Sequence, residues 1–221
     1  MGKVAYLTVG VAGAGGLSIG GLIAFKPWPH NNTEVSKVAV SIKERYSIAL
    51  LDPSKDEAIW TKKYEILKTS SPHNSALRAA LEKSKEPNKN EVEAKRLLKE
   101  GCKEIYESQV DDSAAFSDFK KICSKNNEDA SKTGDWNTDE VTASNNKWDK
   151  ALEALNKHNG NELDSQLSEL KKEIKPAQPT TFDQTLRTKV KNWCSSTRGE
   201  MFEGEYSIKF KNQEAFCKII S

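Results

Sequence analysis

The chain has 221 residues, and its 34 Lys and Arg nearly balance its 32 Asp and Glu, which gives a formal charge of +2. This balance excludes a strongly basic nucleic-acid-binding protein as the first interpretation. Five Trp, seven Phe, five Tyr and regularly spaced Leu exclude a disordered composition, and the length allows one or two small domains.

The first predicted element is a membrane-spanning helix. Residues 4–25 hold fourteen hydrophobic residues and no charge, between Lys3 and Lys26. As a helix they would extend about 33 Å, enough for a hydrocarbon core of about 30 Å. Six glycines lie inside the run, and membrane helices tolerate glycine. Small residues at every fourth position predict a face for helix association: Ala12, Gly16, Gly20 and Ala24.

Three other interpretations of this run fit less well. A signal peptide needs small residues at its cleavage site, whereas Phe25, Lys26 and Pro27 end the run; whether residues 4–25 are removed stays open. A bacterial lipid anchor needs an early cysteine, but the first one is Cys102, and the myristoylation pattern fails at Tyr6. The glycines resemble a dinucleotide-binding loop, but its third glycine is missing and no strand–helix alternation follows.

The charges beside the run do not fix its orientation. Lys3 stands alone before it, whereas Lys26, Lys37 and Lys43 follow it, which favours a cytoplasmic C-terminal part. The cysteines favour the opposite side. Two prolines and a polar stretch predict that residues 26–40 form a linker between the anchor at 1–25 and the rest of the chain.

The remaining chain is predicted to be mainly α-helical and duplicated. Repeat 1 covers residues 41–125, a polar hinge covers 126–138, and repeat 2 covers 139–221. Landmarks recur in order at offsets of 86 to 94 residues: Trp60 with Trp148, Leu77 with Leu163, Leu98 with Val190, and Phe116 with Phe210. Each copy is expected to hold three helices and a short closing segment, as two small bundles or one joint bundle. Alternating polarity at 206–210 predicts one short strand or hairpin near the C-terminus.

All four cysteines follow the apolar run, two in each repeat. An even number outside a membrane anchor is typical of disulfides in an oxidising compartment. Four cysteines allow three pairings, and a duplicated unit would keep its own cross-link, which favours Cys102 with Cys123 and Cys194 with Cys217. The alternative is four buried free thiols.

No catalytic, cofactor-binding or metal site is predicted. The chain contains no H-E-x-x-H, G-x-S-x-G, Walker or EF-hand motif, no C-x2-C, and three histidines at no ligand spacing. The carboxylates alternate with lysines, as at residues 169–173, which is typical of a solvated helix face. Trp60 and Trp148 are assigned to the core, and Trp136, in the polar hinge, to an exposed contact.

Several short features together carry a resemblance. They are the Gly/Ala-rich apolar run after a very short N-terminus, residues 41–45 (SIKER), Leu50-Leu51, a Trp-x3-Tyr segment, and Phe216-Cys217 near the C-terminus. In this combination the chain resembles the paralogous families of short single-span hypothetical proteins of haemotropic mycoplasmas. The resemblance implies a wall-less bacterium and many divergent copies thought to act at the cell surface. It carries over no activity and no functional residue.

The sequence therefore predicts a single-pass plasma-membrane protein. Its disulfide-linked helical part would face outward, without catalytic activity or cofactor, and serve host interaction or antigenic variation. The predicted partners are the lipid bilayer, a host surface protein and, through the span, a second copy of the chain; nucleic acid is not expected. The alternative is a cytoplasm-facing membrane scaffold with free thiols, and an enzyme with an unrecognised motif ranks third.

Overall fold

The computed structural model describes residues 39–220, apart from 88, 133 and 175–181. These residues form ten α-helices, a 3-10 turn at Ser47–Ala49 and a π-helical turn at Phe119–Cys123. Their β-structure consists of four isolated bridges. The helices are α1 (Ile42–Arg45), α2 (Glu57–Lys68), α3 (Ser75–Lys83), α4 (Glu91–Glu107), α5 (Ser113–Asp118), α6 (Asn127–Ala130), α7 (Lys147–Lys157), α8 (Ser165–Glu173), α9 (Gln184–Gly199) and α10 (Ile208–Phe216).

Polar side chains fix where these helices begin. In nine of the ten, the side chain of the residue before the helix accepts a hydrogen bond from a backbone N–H of the first turn. Such a cap satisfies a donor that has no partner inside the helix and contributes about 1 kcal/mol. The capping residues are Ser41, Asn74, Asn90, Asp112, Asn126, Asn146, Asp164, Asp183 and Ser207.

The helices enclose two separate hydrophobic cores. The first is built by α1 to α5 and the π-helical turn, with Trp60 and Leu98 at its centre. The second is built by α7 to α10, with Trp148 and Val190 at its centre. Each core contains one pair of cysteines. The described residues still belong to one compact unit, so the two cores lie side by side within it.

The two cores are closed by matching contacts. The indole Nε1 of Trp60 donates to the carbonyl of Asp52 at 3.0 Å, and that of Trp148 donates to the carbonyl of Asp139 at 2.9 Å. In both halves, the residue after the second cysteine forms an antiparallel bridge with the segment before the tryptophan helix (Ser124 with Leu50, Lys218 with Trp136). These contacts support the tandem duplication, which itself stays a prediction.

The segment predicted as a polar hinge, residues 126–138, contains α6 and contacts the second half of the chain. The side-chain amide of Asn127 donates from Nδ2 to the carbonyl of Thr197 at 2.9 Å. The backbone N–H of Asn127 donates to the carbonyl of Glu200, also at 2.9 Å. Gln213 in turn donates from Nε2 to the carbonyl of Asn127 at 3.2 Å. Buried amide side chains therefore hold this segment against α9 and α10.

The predicted fold class needs a correction, because its transmembrane helix is not supported. No helix in the described ranges is both long and apolar enough to cross a membrane. The longest of them, α4, has 17 residues and begins with a charged turn. The prediction rested on the length and lack of charge of residues 4–25 and on the tolerance of membrane helices for glycine. That run and its association face, Ala12, Gly16, Gly20 and Ala24, lie outside the described residues.

The strand or hairpin predicted near the C-terminus is also wrong. Residues 208–210 form the first turn of α10, and the Ser207 hydroxyl caps this turn by accepting a hydrogen bond from the backbone N–H of Phe210 at 3.3 Å. Tyr206 and Ile208 are exposed, so the alternating polarity there does not correspond to a buried sheet face. The closing segment of each half is helical, formed by α5 with the π-helical turn in one half and by α10 in the other.

Gly101 allows α3 to lie directly on α4. A Cβ at this position would come within 2.9 Å of both the Asn74 Oδ1 atom and a methyl group of Leu77. Asn74 Oδ1 is the atom that caps α3, and Leu77 is fully buried. The contact therefore needs a residue without a side chain. The corresponding residue before the first cysteine of the second half is Trp193.

We expect Gly101→Ala to lower the free energy of unfolding by about 1–2 kcal/mol, measured by urea denaturation. Alanine favours a helix over glycine by about 1 kcal/mol, but overpacking and the disturbed cap outweigh that gain. Gly199→Ala is the matched control, because a Cβ there meets no atom within 4 Å. An equal gain in stability from both substitutions would show that α3 is not tightly packed on α4.

Candidate functional site

A groove with an apolar floor runs along the outer face of α4. It has a volume of about 470 Å³ and lies between α4, the start of α2 and the turn that precedes α2. We call it the α4 groove. Its lining residues are Leu50, Leu51, Pro53, Trp60, Arg96, Lys99, Glu100, Lys103 and Tyr106.

The aromatic residues of the floor turn their polar atoms away from the groove. The indole N–H of Trp60 donates to the carbonyl of Asp52. The Tyr106 hydroxyl donates to the carbonyl of Cys123 at 2.7 Å and accepts the backbone N–H of Leu51 at 3.2 Å. Burial raises the pKa of Tyr106, so this hydroxyl stays protonated. The floor therefore offers carbon surface to a ligand.

Basic side chains of α4 form the rim of the α4 groove. Lys99 closes one end, because its Nζ binds Glu57 at 2.7 Å and the carbonyl of Pro53 at 3.1 Å. Arg96 is held by ion pairs with carboxylates on α4 itself, at 2.8 Å (Glu93 and Glu100). Lys103 is exposed and forms no ion pair within the part of the chain that the structure describes. The groove therefore combines apolar surface with one unpaired cation, which suits binding rather than acid–base chemistry.

The turn beside the groove is held by the Asp52 carboxylate. Its Oδ1 accepts the Ser54 hydroxyl at 2.7 Å, the Ser54 N–H at 2.8 Å and the Lys55 N–H at 3.1 Å. These bonds, above all that from the Ser54 hydroxyl, lower the pKa of Asp52 to about 2. This turn positions Pro53 and the Asp52 carbonyl, which accepts the indole N–H of Trp60.

We expect the Asp52 carboxyl carbon to titrate with a midpoint of about pH 2 in a ¹³C NMR experiment. A carboxyl group whose pKa is lower in the folded chain stabilises the fold above about pH 4, and this stabilisation is lost as the pH falls towards 2. Ser54→Ala should move the midpoint upward, because it removes the strongest hydrogen bond. An unchanged midpoint in that variant would contradict this account of the turn.

A second groove, of about 530 Å³, lies between α8 and α9. Trp193 forms part of its wall and donates from Nε1 to the Asp164 carboxylate at 2.9 Å. Trp193 directly precedes the first cysteine of the second half, as Gly101 precedes that of the first. An ion pair between Glu173 and Lys189 bridges the rim, so the charged groups there already have partners.

The structure joins the four cysteines in the favoured pairing. Cys102 is bonded to Cys123 with a Cα–Cα distance of 5.2 Å, and Cys194 is bonded to Cys217 at 5.5 Å. All four side chains are buried in the two cores. The described chain is therefore a helical domain cross-linked within each core, and the free-thiol alternative does not describe this structure.

Trp136 does not form the exposed contact that the sequence predicts. Its ring is half-buried, with the Arg198 guanidinium carbon 4.3 Å and the Lys218 Nζ 3.4 Å from its centroid. Trp60 and Trp148 are core residues, as expected. Among residues 39–220 without the gaps at 88, 133 and 175–181, no three His, Cys, Asp or Glu side chains are grouped to hold a metal ion.

Sequence reasoning did not identify the α4 groove. A usable signal was present, because Lys99, Lys103 and Tyr106 follow the i, i+4, i+7 spacing of one helix face. The rest of the lining comes from a distant loop, and no local pattern indicates that it meets this face.

No family model, no curated protein and no solved structure matches this chain. The resemblance to mycoplasma protein families therefore stays a prediction, and the site can be interpreted only from its own geometry.

Proposed function

We propose that this helical domain is a non-catalytic binding module of a surface protein and works outside the cytoplasm. The observation that carries the proposal is the pair of disulfides, one inside each hydrophobic core. Structural disulfides persist in oxidising compartments and are rare where thiol buffers keep cysteines reduced. Both bonds lie in cores that are mostly formed by short, polar-faced helices, and such small cores gain most from cross-links.

The binding role is supported by the surface of the domain. The α4 groove has a carbon-lined floor and a basic rim, and the polar atoms of Trp60 and Tyr106 in the floor are bonded to backbone carbonyls. Binding energy at such a surface comes from burial of apolar area, with charge setting orientation. A molecule outside the cell, such as a host component, is the proposed partner.

The test uses intact cells that produce the full chain. These cells are treated with a maleimide that cannot cross the membrane. Since the four native cysteines are buried, the reporter is Lys150→Cys, which replaces an exposed residue of α7. The proposal expects the reporter to be labelled in intact cells, and peptide mass spectrometry to find both native disulfides intact.

The unsubstituted chain is the control for this labelling experiment. The unsubstituted chain should not be labelled until it is reduced and denatured, because its four cysteines are paired and buried. A reporter that is labelled only after lysis, together with native cysteines that react without reductant, would place the domain in the cytoplasm and overturn the proposal.

A further inference from the structure

The α4 groove has the character of a small-molecule site. We infer that it binds a small organic anion with an apolar body, of which a medium-chain carboxylate is the simplest example. The inference rests on the proposed binding role and names the chemistry of one ligand class for it. It combines three observations: the size of the groove, the carbon surface of its floor, and the unpaired charge on its rim.

The size and the floor select an apolar body. A volume of about 470 Å³ falls within the range of about 300–1,000 Å³ that is usual for small-molecule sites. The polar atoms of Trp60 and Tyr106 are already bonded to backbone groups, the indole N–H to the carbonyl of Asp52 and the hydroxyl to that of Cys123. A sugar or another neutral polar ligand would find no hydrogen-bond partner there, whereas a hydrocarbon chain would replace water without loss.

The rim selects a negative head group. Three cations and a single carboxylate line the α4 groove, and that carboxylate, Glu100, is bound to Arg96 at 2.8 Å. Lys99 is likewise paired with Glu57 at 2.7 Å. Lys103 remains as the cation free to bind a ligand, one helical turn from both Lys99 and Tyr106. The Lys99 Nζ already lies 5.8 Å from the centroid of the Trp60 ring, so an apolar chain would lie along the rest of the floor with its carboxylate at Lys103.

The test is calorimetric titration of the purified, oxidised full chain with decanoate, with decanol and decyltrimethylammonium as neutral and cationic comparisons. Decanoate should bind most tightly and decyltrimethylammonium most weakly.

Lys103→Gln should weaken decanoate binding about fivefold at low salt, and Lys103→Arg should leave the affinity for decanoate unchanged. The same Lys103→Gln change should leave decanol binding unaltered. Lys150→Gln is the matched control, since it removes an exposed lysine remote in sequence from the groove.

Chemical-shift changes in NMR spectra show where decanoate binds. Decanoate should shift the Trp60 indole N–H and the Lys103 amide signals, and these shifts should saturate with the calorimetric affinity. Equal affinities for decanoate and decanol, an unchanged affinity in Lys103→Gln, or shifts confined to other residues would overturn the inference. These outcomes would leave the compartment proposal intact, because that proposal depends on cysteine labelling alone.

Discussion

Replacing Arg187 by methionine is expected to lower the free energy of unfolding by about 3 kcal/mol. Arg187 lies on α9 and binds Asp149 of α7 through two parallel bonds of 2.7 Å. It also donates to the carbonyl of Val141 at 3.1 Å. Both charged side chains are nearly buried, with 13% and 11% of their surface exposed. Methionine would fill the space but leave the Asp149 carboxylate without its cation.

Urea denaturation of a second variant separates charge from packing. In Asp149→Leu/Arg187→Met neither partner is charged, so more than half of the lost stability should return. Arg96→Met is the surface control: Arg96 also forms two ion pairs, but it is exposed, and the loss should stay below about 1 kcal/mol. Losses of equal size for Arg187→Met and Arg96→Met would show that burial adds nothing to this pair.

The parts of the fold that the sequence predicted are those that depend on local or repeated patterns. Helical spacing around Trp60 and Trp148 identified core positions, because one apolar stripe must face inward along each amphipathic helix. The cysteine pairing followed from the assumption that a duplicated unit keeps its own cross-link, and the structure contains that pairing.

Two predictions failed, and both rested on a local pattern alone. Five residues of alternating polarity at 206–210 allow a strand, but the cap at Ser207 stabilises a helix start instead. The uncharged run at 4–25 satisfied a length criterion for a membrane helix, yet the described part of the chain offers no helix of that kind. An apolar run of sufficient length is compatible with a membrane helix but does not by itself specify one.

The candidate site could not be predicted because its parts are far apart in sequence. The α4 groove joins Leu50 and Pro53, on the loop before α2, to Lys103 and Tyr106 on α4. The loop is joined to α4 by the Leu51 N–H, which donates to the Tyr106 hydroxyl, and by Lys99, which donates to the carbonyl of Pro53; no spacing rule indicates these contacts. Non-local contacts of this kind decide where a surface becomes concave.

Removing the first disulfide with Cys102→Ala/Cys123→Ala is expected to cost about 3 kcal/mol of unfolding free energy. The bond closes a loop of 21 residues, and without it the unfolded chain regains the freedom of that loop. Cys194→Ala/Cys217→Ala opens a loop of 23 residues and should cost a similar amount. Urea denaturation under oxidising conditions measures both losses against the unsubstituted chain.

Hydrogen exchange then shows how far each cross-link acts. The two cores are separate, but the Asn127 side chain bonds α6 to the carbonyl of Thr197 on α9, and Gln213 bonds α10 to Asn127. Loss of the first disulfide should therefore speed exchange most in α2 to α5, with a smaller effect in α7 to α10. The second pair of substitutions should show the reverse order. Equal acceleration throughout in both variants would mean that the cores unfold as one unit, since the junction would then transmit the whole loss.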